Sequence, residues 1–122
     1  MKISVGTDIV EIERIKKAIE RKEEKFLESI YTDREIEYCE ARKLQKYQSY
    51  AARFAAKEAL YKALSEYINL KYSFKDFEIV NNEKGKPEVN LNFELENLKS
   101  IDISLSHCKE YAVAYVTAML EE

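Results

Sequence analysis

Asp8, Glu58 and Lys62 are the residues of this chain whose types and spacing best suit chemistry. Asp8 follows an apolar stretch, lies two residues after Gly6 and precedes Ile9 and Val10. A carboxylate in such surroundings needs a partner, because an unpaired buried charge is costly. A helix cap, an ion pair or a metal would each meet that need. Glu58 falls within Arg53-Phe54-Ala55-Ala56-Lys57-Glu58-Ala59-Leu60-Tyr61-Lys62-Ala63-Leu64, where Phe54, Glu58 and Lys62 share one ridge of a helix. Taken alone, Glu58 and Lys62 read as a surface pair worth about 0.2–0.5 kcal/mol. If Asp8 converges on Glu58, two carboxylates beside a lysine form a site for a divalent metal and a phosphate. Magnesium takes few protein carboxylates, keeps several waters and accepts phosphate oxygens, while lysine offers a compact positive charge.

Two further groups are candidates. His107, the only histidine, closes the run Ser104-Leu105-Ser106-His107-Cys108-Lys109-Glu110, a polar cluster suited to a phosphate. Arg14, Lys17, Arg21 and Lys25 recur at spacings of three and four and form a basic ridge. The protein as a whole is acidic, with a net charge of -3, so such a strip can select an acidic partner.

Composition excludes much else. With Gly6 and Gly85 as the only glycines, neither a Gly-rich phosphate loop nor a dinucleotide fingerprint can be written. One histidine and two distant cysteines, Cys39 and Cys108, cannot form a zinc site of the usual kind, so any metal should be a hard ion on oxygen ligands. The charge balance is not that of a nucleic-acid binder, and no apolar run is long enough for a membrane span. The cysteine usage and the lack of a secretory leader lead us to expect a reduced, cytoplasmic protein.

The elements that must position these residues follow from periodicity. Residues 2–5 read as a strand, with Gly6-Thr7-Asp8 marking a change of path, and residues 9–26 as a helix burying Ile12, Ile15, Ile19 and Phe26. Thr32 and Glu35 stand at capping-box spacing before a helix reaching Arg42. Residues 48–67, free of Gly and Pro, form the strongest helix. Residues 74–80 and 88–93 read as a hairpin, followed by strands over 101–107 and 111–119. The expected fold is α+β: one domain over 1–122, with helices mainly in the first half packed on an antiparallel sheet.

The order of these signals is distinctive. Val5-Gly6-Thr7-Asp8-Ile9-Val10-Glu11-Ile12-Glu13-Arg14-Ile15 resembles the first motif of the holo-[acyl-carrier-protein] synthases, and residues 53–64 resemble their second. Gly85-Lys86-Pro87 and the run from Ser104 to Ala112 match the later segments in order, so the resemblance spans the chain. It implies the 4'-phosphopantetheinyl transferase fold. It also implies Mg2+-dependent transfer of 4'-phosphopantetheine from coenzyme A to a serine of apo acyl carrier protein, for fatty acid synthesis, releasing adenosine 3',5'-bisphosphate. Under it Asp8 and Glu58 would hold Mg2+, Lys62 would neutralise developing charge, and Glu58 is the candidate for taking the serine proton. Phe54, Lys62 and Ser65 would meet coenzyme A, with Gly85, Lys86 and Pro87 near adenine and Ser106 and His107 near the nucleotide phosphate. Arg14, Lys17, Arg21 and Lys25 would dock the acidic carrier. A homotrimer with active sites between subunits is also implied. Two positions depart from the family pattern: Ser65 replaces a glycine, which leads us to expect a longer helix, and Thr7 replaces an apolar residue. A non-catalytic carrier-binding module and another Mg2+-dependent nucleotide enzyme are the rival readings.

Overall fold

The computed structural model describes residues 1–22, 24–68 and 71–121. Strand β1 (Lys2–Glu11) leads into helices α1 (Ile12–Lys22), α2 (Glu24–Ile30), α3 (Asp33–Ala41) and α4 (Lys46–Leu64). Strands β2 (Phe77–Asn81), β3 (Pro87–Leu91), β4 (Leu98–His107) and β5 (Tyr111–Leu120) complete the chain. The order is therefore α+β, as the residue pattern leads one to expect, with the antiparallel strands in two sheets. One has the order β1-β5-β4 and the other pairs β2 with β3.

The centre of the fold is α4 lying on the larger sheet. Its buried Ala55, Ala56, Ala59 and Ala63 meet Ala114, Val116 and Ala118 of β5, and small residues on both surfaces let helix and strand approach closely. Leu60 and Leu64 of α4 are completely buried, which contributes about 1.5–3 kcal/mol each. A second cluster packs Ile12, Ile15 and Ile19 of α1 against Ile30, Tyr31 and Tyr50. The capping box forms: Thr32 Oγ1 accepts from the Glu35 amide at 3.3 Å, and Glu35 Oε1 accepts from the Thr32 amide at 2.9 Å.

Several boundaries differ from the sequence reading. Gly6-Thr7-Asp8 does not turn the chain; β1 pairs with β5 residue by residue to Glu11, and α1 starts at Ile12. The expected first helix is divided, so Lys25 lies on α2 rather than on the helix of Arg14, Lys17 and Arg21. Helix α4 stops at Leu64 although Ser65 is not glycine, because the Tyr67 amide bonds the Leu64 carbonyl and tightens the last turn.

Candidate active site

Gly6 lets the first two motifs meet. The Ala59 carbonyl of α4 lies so near its α-carbon that a methyl group there would collide with it. Ser4 Oγ on the same face of β1 donates to the Ala63 carbonyl at 2.6 Å. Since strand side chains alternate, the next residue facing α4 after Ser4 and Gly6 is Asp8. Lys62 reaches it from the helix, its Nζ donating to Asp8 Oδ1 at 3.1 Å and to the Thr7 carbonyl at 2.9 Å.

Glu58 stands one helical turn before Lys62. Its carboxyl is pushed above the ordinary glutamate value, first by burial and then by the negative charge of Asp8, with Lys62 pulling the other way. Two carboxylates held near each other with one lysine beside them suit a hard cation. No group of three or more His, Cys, Asp or Glu among the described residues is placed to hold a metal. An ion here would thus take two protein carboxylates and complete its shell with water and phosphate oxygens, which is the habit of Mg2+.

The ridge borders two depressions. Glu58 lines a cavity of about 300 Å³ with Tyr61, Tyr72, Ser73, Phe74 and Phe77. Phe54, a turn earlier, faces a groove of about 410 Å³ with Ile9, Val10, Arg14, Phe26 and Tyr111. The rings of Phe54 and Phe74 stack between them, with centroids 5.6 Å apart. Arg14, Lys17 and Arg21 are exposed on α1, and Lys25 is exposed on α2.

Pro87 and His107 lie elsewhere, sharing a cleft with Tyr38, Arg42, Gln48, Ser49 and Arg53. Arg53 is buried; its guanidinium lies 4.2 Å from the Tyr38 ring centroid and donates to Asn81 Oδ1 at 2.8 Å. Its Nε finds no partner among the described residues. Arg42 and Arg53 were not among the expected site residues, although an arginine opening an alanine-rich helical motif is an available signal. Gly85 adopts φ +84°, a left-handed conformation that favours glycine, and Lys86 ties the turn to β4 by pairing with Asp102 at 3.0 Å. Ser106 does not join His107. The register puts His107 opposite buried Ala112, whereas Ser106 faces the other side of the sheet opposite Val113. Ser65 is exposed at the end of α4, its amide donating to the Tyr61 carbonyl at 2.9 Å.

Arg53 and Glu58 are five residues apart, about 140° around the helix axis, so the basic cleft and the carboxylate site face different directions.

Known proteins share this fold. Residues 4–116 match the family described as the 4'-phosphopantetheinyl transferase superfamily. The holo-[acyl-carrier-protein] synthase of Ruminiclostridium cellulolyticum is 48% identical, over 98% of this chain and 94% of the relative. The chain belongs to the holo-[acyl-carrier-protein] synthase family. That of Chloroherpeton thalassium is 46% identical over 93% and 95%. Among solved structures, the Helicobacter pylori synthase in complex with coenzyme A has a TM-score of 0.83 at 37% identity, covering 94% of this chain and 99% of that one. The Bacillus anthracis synthase in complex with CoA (3',5'-ADP) has a TM-score of 0.81 at 36% identity, covering 97% and 96%. As a holo-[acyl-carrier-protein] synthase relative, the chain is an enzyme of the phosphopantetheinyl transferase class, in agreement with the motif resemblance. No helix among its described residues is long and apolar enough to cross a membrane.

Proposed function

We propose that this protein transfers 4'-phosphopantetheine from coenzyme A to a serine of apo acyl carrier protein and releases adenosine 3',5'-bisphosphate. The convergence of Asp8, Glu58 and Lys62 carries the reading. Phosphoryl transfer asks a protein mainly to position its substrates and stabilise phosphate oxygens, and these residues offer that. Asp8 and Glu58 would hold Mg2+, which when bound would neutralise charge on the pyrophosphate. The serine oxygen forms a bond to the phosphorus on the pantetheine side. The bond from that phosphorus to the bridging oxygen breaks, and the bisphosphate leaves. Glu58 is the group that takes the serine proton. Lys62 offers its compact ammonium to the departing oxygens.

The geometry supports a reading of the remaining substrate surfaces. Arg42, Arg53 and His107 give the nucleotide phosphate a basic cleft, with the Gly85-Lys86-Pro87 turn at its edge. Phe54 and Ser65 meet coenzyme A along α4. Arg14, Lys17, Arg21 and Lys25 dock the acidic carrier, Arg14 foremost because it alone of the four also lines the groove below Phe54.

The two half-sites face apart within one chain, which favours a homotrimer whose active sites lie between subunits. The outer face of the larger sheet suits such an assembly, since Ile3, Val5, Ile9, Tyr111 and Tyr115 all lie exposed on it. We place the enzyme in the cytoplasm, in fatty acid synthesis; both cysteines are free thiols.

Mass spectrometry of apo acyl carrier protein incubated with this protein, coenzyme A and Mg2+ tests the reading. A phosphopantetheine adduct that needs the metal is expected. No adduct across several carriers would refute the activity.

A further inference from the structure

Lys57 precedes Glu58 on α4, yet nothing in the transfer uses it. Its side chain and that of Glu35 are both fully buried. The ammonium has three protons and three acceptors: Glu35 Oε1 at 2.7 Å, the Phe74 carbonyl at 3.0 Å and the Phe77 carbonyl at 2.5 Å. Glu35 is equally satisfied, taking the Thr32 amide on Oε1 at 2.9 Å and the Ile79 amide on Oε2 at 2.8 Å.

Stability alone is a poor reason for such a pair, because well-packed apolar residues commonly serve as well or better. What the pair holds is more informative. Lys57 grips the backbone at Phe74 and Phe77, the two ends of a short turn (Phe74–Asp76 and the residue after it). Phe74 and Phe77 form one wall of the cavity beside Glu58. The Phe74 ring also stacks on Phe54, which faces the groove of Arg14. The two substrate surfaces thus meet across a ring pair whose backbone Lys57 anchors.

We propose that Lys57 and Glu35 are positioning residues for the transfer, holding the Phe74–Phe77 wall so that coenzyme A at Glu58 and the carrier at Arg14 meet in reacting geometry. The inference rests on the substrate placement proposed above. It predicts a loss in kcat rather than in binding, because a displacement of about 1 Å between reacting groups costs about a hundredfold.

The test compares Glu35→Leu/Lys57→Met, which leaves neither charge buried alone, with Leu120→Ala, a core variant on β5 that does not line the cavity beside Glu58. Melting temperature, kcat and the KM for coenzyme A and carrier are measured at saturating Mg2+. The double variant should fold and lose about tenfold or more in kcat, with each KM within about threefold of the parent. Leu120→Ala should lose melting temperature and keep its kcat. A folded double variant with parent kcat, or with no greater loss than Leu120→Ala, overturns the proposal. Should the double variant fail to fold, Glu35→Asp retracts the carboxylate by one methylene. A several-fold fall in its kcat supports the proposal, and an unchanged kcat overturns it. Glu58→Ala separates the two readings: full activity there would sink the substrate placement itself. An inactive Glu58→Ala beside a fully active double variant sinks only the positioning role.

Discussion

Lys57 and Glu58 are neighbours on α4, and each belongs to a cluster of carboxylate and lysine, but the clusters have opposite character. Lys57 and Glu35 are sealed from water with every ammonium proton and both carboxylate oxygens engaged. Burial pulls the Lys57 ammonium below its ordinary value, and Glu35 opposes that shift. Around Glu58 two carboxylates face one lysine, Lys62 is half exposed, and burial and like charge push the Glu58 carboxyl up. A satisfied charge cluster holds structure together. One left with excess negative charge at a cavity is ready for a cation and a phosphate.

Removing a metal ligand should break the second cluster most severely. Asp8→Ala or Glu58→Ala is expected to lower transfer by about a thousandfold or more, since each removes one of two carboxylates expected to hold the ion. Circular dichroism should show the fold unchanged. Parent turnover in either variant at saturating Mg2+ would remove the metal role.

The first cluster should break in the opposite sense. Lys57→Met leaves Glu35 buried without its countercharge, which costs about 3–5 kcal/mol. Denaturant unfolding measures it. A loss below about 1 kcal/mol would mean that water or a shifted side chain satisfies Glu35, contrary to its complete burial.

How much of this contrast was legible beforehand depended on distance along the chain. Helix α4, the capping box of Thr32 and Glu35, and the strand alternation are local patterns, and all formed. Asp8, Glu58 and Lys62 were recognisable because motif order carried them, although about fifty residues separate the first two along the chain. The Glu35–Lys57 bridge was not legible: Glu35 read as a cap and Lys57 as part of a motif, and only the fold brings them together. The end of β1 was misread because Gly6 suggests a turn, whereas its role is to let α4 approach. Ser106 and His107 are adjacent in sequence, and strand alternation put them on opposite faces. Arg53 was overlooked because its cleft is built from α3, α4, β2, β3 and β4 together.

The docking strip offers a milder comparison, between helices. Arg14→Glu is expected to raise the carrier KM about tenfold at low salt and to weaken its salt dependence. Lys25→Glu should have a smaller effect, because Lys25 lies on α2 and is not part of the groove lined by Arg14. Steady-state kinetics at two ionic strengths decides it. Equal effects would mean that net charge, rather than the groove, guides the carrier.

The smallest expected effect tests the comparison most directly, because it asks whether losing a charge at adjacent positions has opposite signs. Glu58 titrates in the native state above the ordinary glutamate value of 4.5. Well below that value the carboxyl is protonated in folded and unfolded chains alike, and Glu58→Gln should change little. As pH rises through 4.5, the unfolded chain releases its proton while the native state retains it, so the parent loses stability with rising pH. The loss is complete once pH passes the raised native value. Glu58→Gln escapes it. In EDTA the variant should therefore melt slightly above the parent at pH 7, with the difference vanishing towards acid pH. Added Mg2+ should reverse the order, because binding to the native state stabilises the parent and has one carboxylate fewer to hold it in the variant. If Glu58→Gln instead lowers the melting temperature in EDTA, as Lys57→Met must, then Glu58 is a structural partner like its neighbour and the distinction between the two clusters fails.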